Sequence, residues 1–173
     1  MHITPFALIA LTLCCGTVSA ETEILVDLDI SNNKPHIAVV EDGAVVTTYP
    51  IAAPKHTPSC LYTSDVYGTV LAIDPHATWT PTDRTRTDMA RAGKHLKAQY
   101  GPNDPHNALG GRKLMIAWGN SCIPATVRVH GTIKPQLVRA QARASRGCIR
   151  MLNEHWDELA RYITIGTRIR MKA

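Results

Sequence analysis

Apolar residues in this chain come in short runs separated by turn formers, a pattern that predicts many strands rather than long helices. Ile24 to Ile30 alternates in its second half, and Ser31-Asn32-Asn33-Lys34 supplies a turn. Ile37 to Val40 follows, then Glu41-Asp42-Gly43, then Ala44 to Tyr49. Asp-Gly between two β-branched runs predicts a hairpin. The stretch from Ala53 to Leu114 is rich in Pro, Thr, Asp and His and reads as loops around short strands, with Tyr67 to Ile73 the clearest strand. A short helix is expected over 88–99, interrupted by Gly93. Lys113 to Trp118 and Ala125 to Val129 read as core strands, the second delivering His130 at its end. Pro135 to Arg143 predicts another short helix, with Leu137 and Val138 inward and Arg139 and Arg143 on one outer face. Asn153 is expected to cap a last helix, with Glu154 and Asp157 in its first turn favouring the helix dipole. A closing strand, Arg168 to Met171, follows the turn at Gly166-Thr167. Trp79 and Trp118 read as packing residues, with a place along a substrate groove as the alternative.

The first 20 residues have a different character. They contain no Lys, Arg, Asp or Glu, and their apolar run from Phe6 to Cys15 is too short for a stable membrane span. Val18-Ser19-Ala20 places small residues where a signal peptidase reads. The expectation is therefore a cleaved signal peptide over 1–20 and one domain over 21–173. Leu13 stands where a small residue would precede a lipidated Cys14, which argues against a lipoprotein. What remains of the 173 residues suffices for one core and is too short for two. The implied location is the periplasm or cell envelope. There a formal net charge of +5 favours an anionic polymer or membrane surface as neighbour. With no dense basic run, no zinc spacing and no aromatic platform, nucleic acid is not an expected partner.

Beyond the signal lie Cys60, Cys122 and Cys148, an odd number in a compartment that permits disulfides. The simplest partition pairs Cys60 with Cys122 and leaves Cys148 free for chemistry. Whether their Cα atoms lie within bridging distance is a tertiary question. Cys148 bridged to either partner would be inactive, and that alternative reads as a redox switch. The remaining histidines are scattered singly and no metal-ligand spacing occurs, so no metal site is expected.

The chemistry concentrates between His130-Gly131-Thr132 and Ser145-Arg146-Gly147-Cys148-Ile149-Arg150. Thiol catalysis needs a thiolate, a base to make it, and backbone N–H groups free to hold an oxyanion. Cys148 supplies the nucleophile and His130 the base. Gly147 lets the backbone approach a substrate, and the N–H groups of Gly147 and Cys148 are the candidate oxyanion hole.

This string resembles the active-site signature of the L,D-transpeptidase (YkuD-type) catalytic domain family: HG, a gap of about fifteen residues, then S-x-G-C-[IV]-R. Gly101-Pro102-Asn103 and Asn107 to Arg112 resemble that family's GPxNPLG-x-R segment, and the strand order at the start is also similar. The resemblance implies a mostly β fold, a sandwich with one or two short helices in a single domain. It implies a cysteine acyltransferase, an L,D-transpeptidase acting on peptidoglycan stem peptides. Such an enzyme releases D-alanine from a tetrapeptide stem and joins the rest to an amine, forming a 3–3 cross-link or attaching a wall-linked lipoprotein. It further implies that the Gly131 carbonyl orients His130, that Ser145 supports the turn, and that Thr132, Arg146 and Arg150 support the site or bind a substrate carboxylate. No cofactor is implied, the chain is expected to be a monomer, and carbapenems become expected inhibitors. Two departures stand out: Arg146 replaces a histidine common in the family, and Thr57-Pro58-Ser59-Cys60 lacks the glycine of its TPxG element. A stem-trimming or protein-detaching hydrolase on the same site, and a non-catalytic peptidoglycan-binding module, are the alternative functions.

Overall fold

β1 (Thr22–Asp27), β2 (His36–Glu41) and β3 (Ala44–Pro50) form an antiparallel meander, β2 and β3 joined by the Asp42-Gly43 turn. Alternation along β1 sends Ile24 and Val26 into the core, where both are fully buried. β2 is buried on both faces from Ile37 to Val40, which explains its continuous apolar run. Each such aliphatic side chain contributes about 1.5–3 kcal/mol of burial free energy. The computed structural model describes residues 21–173; the expected signal peptide over 1–20 lies outside the described residues.

The rest of the chain extends this meander in both directions. Further strands are β4 (Ala53–Pro54), β5 (Val66–Asp74), β6 (Lys113–Trp118), β7 (Val129–His130), β8 (Arg143–Ser145), β9 (Ile149–Arg150) and β10 (Arg168–Lys172). Eight of the ten form one sheet in the order β3-β2-β1-β10-β5-β6-β7-β9, while β4 and β8 pair separately. The β1–β10, β7–β9 and β4–β8 pairs are parallel and the others antiparallel. After edge strand β3 the chain reaches Ala52, which bridges Arg150 of the opposite edge strand β9 through N–H···O bonds of 2.9 and 3.0 Å. The sheet is thereby curled, its two edges linked next to the predicted site.

The architecture is the mostly β single domain expected, with three short α-helices near the three places where the sequence predicts them. They are α1 (Asp83–Arg91), α2 (Pro135–Arg139) and α3 (Asn153–Leu159). A 3-10 turn covers Ser59–Tyr62. Trp156 and Leu159 of α3 are buried in the main core with Met151, Ile169 and Met171.

Several local expectations are corrected. The helix expected over 88–99 starts earlier: the Thr82 side chain accepts the Thr85 N–H at 3.2 Å and caps α1. The expected strand over 125–129 begins only at Val129, the residues before it forming a loop. Helix α2 stops at Arg139, with Gln141 at φ 48° turning the chain out of helical geometry. Arg143 therefore lies in β8, not on a helical face with Arg139. Its guanidinium reaches the Leu28 carbonyl at 2.7 Å and Asn33 Oδ1 at 3.2 Å. At α3 the N-cap is Leu152, and no side chain caps the helix.

Cys60 and Cys122 are disulfide-bonded, with Cα atoms 6.3 Å apart. The bridge ties the 3-10 turn to the loop between β6 and β7, 62 residues later. Replacing both cysteines by serine is expected to lower stability by about 2–4 kcal/mol, because the reduced chain regains loop entropy when unfolded. Urea denaturation of the oxidised protein beside the double variant measures this directly.

Candidate active site

The site grows from one pairing. β7 carries His130 at its end, and β9 begins one residue after Cys148, with Val129 opposite Ile149 and His130 opposite Arg150. Strand alternation sends Val129 and Ile149 into the core, both fully buried. His130 and Arg150 consequently share the other face, and Cys148, two residues before Arg150, is on that face as well. The Ile149 N–H bonds to the Arg128 carbonyl at 2.8 Å and the Met151 N–H to the His130 carbonyl at 2.9 Å, which holds this register.

His130 is 5 % exposed, and its Nδ1 lies 2.6 Å from the Gly131 carbonyl oxygen. A carbonyl only accepts, so Nδ1 carries the hydrogen and Nε2 keeps the lone pair. Burial lowers the His130 pKa to about 4, the Gly131 hydrogen bond opposes that shift, and the Arg150 charge adds to it. At neutral pH the imidazole is therefore uncharged and able to take a proton.

Cys148 is free and partly exposed. Its thiol makes a weak 3.8 Å contact as donor to the Thr126 carbonyl. The turn before it is closed by Ser145, which is 2 % exposed and donates its hydroxyl to the Cys148 carbonyl. The Gly147 N–H donates back to Ser145 Oγ at 3.2 Å. Of the two candidate oxyanion donors, the Gly147 N–H is engaged by Ser145 Oγ, while that of Cys148 has no acceptor among the described residues. Gly147 has a φ of 156°, which disfavours any side chain there.

The arginines differ in their commitments. Arg146 pairs with Asp88 of α1, in the segment between β5 and β6. Arg150 is fixed through its backbone bridge to Ala52, but its buried Nε has no hydrogen-bond partner among the described residues. Burial lowers the Arg150 pKa, and the nearby Cys148 opposes that shift. A buried N–H donor left without a partner costs free energy unless an acceptor meets it. Among the described residues no group of His, Cys, Asp and Glu is arranged to hold a metal ion.

Three residues not singled out for the site from the sequence also converge on it. Thr132 donates its N–H to Asn153 Oδ1 at 2.8 Å. Arg112 grips Asp157 with two bonds of 2.6 and 2.7 Å and donates to the Gly110 carbonyl at 2.9 Å. The sequence places Asn153 and Asp157 at the start of α3; the structure turns Asn153 to Thr132 beside His130 and Asp157 to Arg112. Gly110 and Gly131, where no side chain blocks Asn153, were the available signal.

The L,D-transpeptidase catalytic domain family (YkuD) matches residues 22–171. The chain belongs to this family. The probable L,D-transpeptidase ErfK/SrfK of Escherichia coli K12 is 30 % identical over 133 residues, covering 75 % of this chain and 38 % of the relative. The protein of the same name from Salmonella typhimurium LT2 is 31 % identical over 93 residues, covering 54 % of this chain and 27 % of that relative. The chain thus spans well under half the length of these curated relatives. An L,D-transpeptidase from Mycobacterium smegmatis is structurally similar with a TM-score of 0.54 and 20 % identity, over 89 % of this chain and 59 % of that one. L,D-transpeptidase 3 from Mycobacterium tuberculosis, in complex with a faropenem-derived adduct, gives a TM-score of 0.54 and 13 % identity over 89 % and 61 %. At such identities the structural likeness concerns the fold of the transpeptidase domain.

The low pKa of His130 sets a pH dependence with a definite sign. In the unfolded chain His130 takes up a proton near pH 6.5, while in the folded protein it does so only near 4. The unfolded state is therefore favoured as pH falls across that window, and no further loss from this group occurs below it. Wild type should lose on the order of 3 kcal/mol from His130 alone between these limits. In urea unfolding at a series of pH values, His130→Gln should show that much less acid destabilisation than wild type.

Proposed function

We propose that this protein is a peptidoglycan L,D-transpeptidase that works through a Cys148 thioester. The observation that carries the proposal is the His130 Nδ1–Gly131 carbonyl bond of 2.6 Å, which leaves Nε2 as a base on the strand face shared with Cys148. Family membership over residues 22–171 supplies the reaction class; the site supplies the roles.

In the first half-reaction the Cys148 thiol passes its proton to His130 Nε2, and the sulfur attacks the carbonyl carbon joining the third stem residue to the terminal D-alanine. The Cys148 N–H, with no protein acceptor, stabilises the developing oxyanion. Collapse breaks the amide, His130 returns the proton to the leaving D-alanine nitrogen, and a thioester remains. In the second half-reaction an acceptor amine attacks the thioester carbonyl and gives up its proton to His130. The Cys148 sulfur is expelled and recovers that proton, and a new amide is left. A buried uncharged imidazole suits both directions, since it accepts and returns one proton in each half. Arg150 is the cation for a stem carboxylate, its guanidinium being short of protein partners while Arg146 is occupied by Asp88. The second product is a 3–3 cross-link or a wall-attached protein, according to the amine that arrives. No cofactor enters either half.

The envelope is the location this chemistry requires. The uncharged apolar start of the chain, read as a signal peptide, and the net charge of +5 both support it. Among the described residues no helix is long and apolar enough to cross a membrane. A strained β-lactam of the carbapenem class should acylate Cys148 as the stem carbonyl does.

The test is incubation with a tetrapeptide muropeptide and an amine-bearing acceptor, read by mass spectrometry beside a Cys148→Ala control. The expected product is a dimer that has lost one D-alanine, formed by wild type and absent with Cys148→Ala. D-alanine release or stem cleavage without a dimer would replace transpeptidation by hydrolysis. Peptidoglycan binding with neither product and no carbapenem adduct would identify a non-catalytic wall-binding module.

A further inference from the structure

The carbonyl that orients His130 belongs to the peptide unit joining Gly131 to Thr132. In a trans peptide the C=O and N–H lie in one plane and point in opposite directions, and the described chain contains no cis peptide bond. Whatever holds the Thr132 N–H therefore also aims the Gly131 oxygen. That N–H donates to Asn153 Oδ1 at 2.8 Å, while on the other side of the same plane the Gly131 oxygen meets His130 Nδ1 at 2.6 Å.

We propose that Asn153 is a positioning residue for catalysis: by holding the Thr132 N–H it locks the peptide plane whose carbonyl keeps His130 in the Nδ1–H tautomer. The proposal deepens the transpeptidase reading and rests on it for the role of His130. Asn153 acts on the base through one peptide unit and touches no reacting atom.

The surroundings are built for this contact. A side chain on Gly131 would collide with Asn153 Oδ1 and lie 2.9 Å from the Leu109 carbonyl oxygen. One on Gly110 would collide with the same oxygen and lie 2.6 Å from the Thr132 nitrogen. The amide thus rests directly on two bare Cα atoms. Asn153 begins α3 but is not spent on capping it, since Leu152 is the N-cap and no side-chain cap bond forms. One helical turn later on the same face of α3, Asp157 receives the Arg112 guanidinium. The Arg112 carbonyl in turn accepts the Gly131 N–H at 3.1 Å. Gly131 is consequently held on both flanking peptide units by residues anchored to one helix. Accepting the Thr132 proton also polarises the shared peptide and strengthens its carbonyl as an acceptor.

The test uses the whole chain with 15N-labelled histidine. The wild type is expected to show a slowly exchanging downfield Nδ1–H resonance and the Nδ1–H tautomer of His130. In Asn153→Ala that resonance should be lost and the tautomers mixed. Its kcat with the tetrapeptide donor should fall on the order of 100-fold with KM little changed, as misorientation of a catalytic group produces. Asn153→Asp keeps an acceptor for the Thr132 N–H and should restore both the resonance and most of kcat. A folded Asn153→Ala protein that retains the wild-type resonance and tautomer would overturn the proposal. If circular dichroism shows Asn153→Ala unfolded, Asn153→Asp decides alone: the proposal falls if its His130 resonance is lost. Failure of the transpeptidase reading looks different, as an inert wild type whose resonance still depends on Asn153.

Discussion

Two residues of parallel pairing, Val129 and His130 against Ile149 and Arg150, hold this site together. A two-residue ladder has no stability of its own. It persists because β7 is the next strand of an eight-stranded sheet and because Val129 and Ile149 are fully buried beneath it. A one-residue slip would send these two side chains to the surface and bring His130 and Cys148 under the sheet. The core thus decides which face carries His130 and Cys148, and the register decides how far the thiol lies from the imidazole.

Electrostatics at the site are dominated by burial. His130 is sealed from solvent, so its charged form is disfavoured, and Arg150 disfavours it further. The same burial leaves Arg150 short of hydrogen-bond partners. The uncharged imidazole and the shifted guanidinium share one cause, burial of each group.

Two tethers bring distant segments to this small site. The Cys60–Cys122 bridge anchors the loop whose Thr126 carbonyl meets the Cys148 thiol. The Asp88–Arg146 pair ties α1 to the turn that presents Cys148. The bridge is covalent, whereas the ion pair is half exposed and worth little to stability. Their common effect is on the segments around the sulfur: the disulfide limits how the loop can move, and Asp88 holds the side chain of Arg146, two residues before Cys148.

Local sequence by itself determined the strands, because a period of two and an Asp-Gly turn act within a few residues. β2, β3, β5, β6 and β10 all lie within a residue or two of the runs that signal them, while β1 stops at Asp27, three residues short of its run. It also determined the family, through a motif whose residues keep the same spacing whatever surrounds them. Helix limits were less legible: Thr82 capping α1 and Gln141 ending α2 are single-residue events that competing turn formers obscure. Only the tertiary structure decided that the Gly147 N–H is taken by Ser145, that Arg146 is taken by Asp88, and that Arg150 is left unsatisfied. It alone brought Cys60 within bonding distance of Cys122 and laid Asn153 across Gly110 and Gly131. Each of these is a contact between groups far apart along the chain or a choice between competing partners. Periodicity and spacing carry no record of which partner a folded backbone brings within 3 Å.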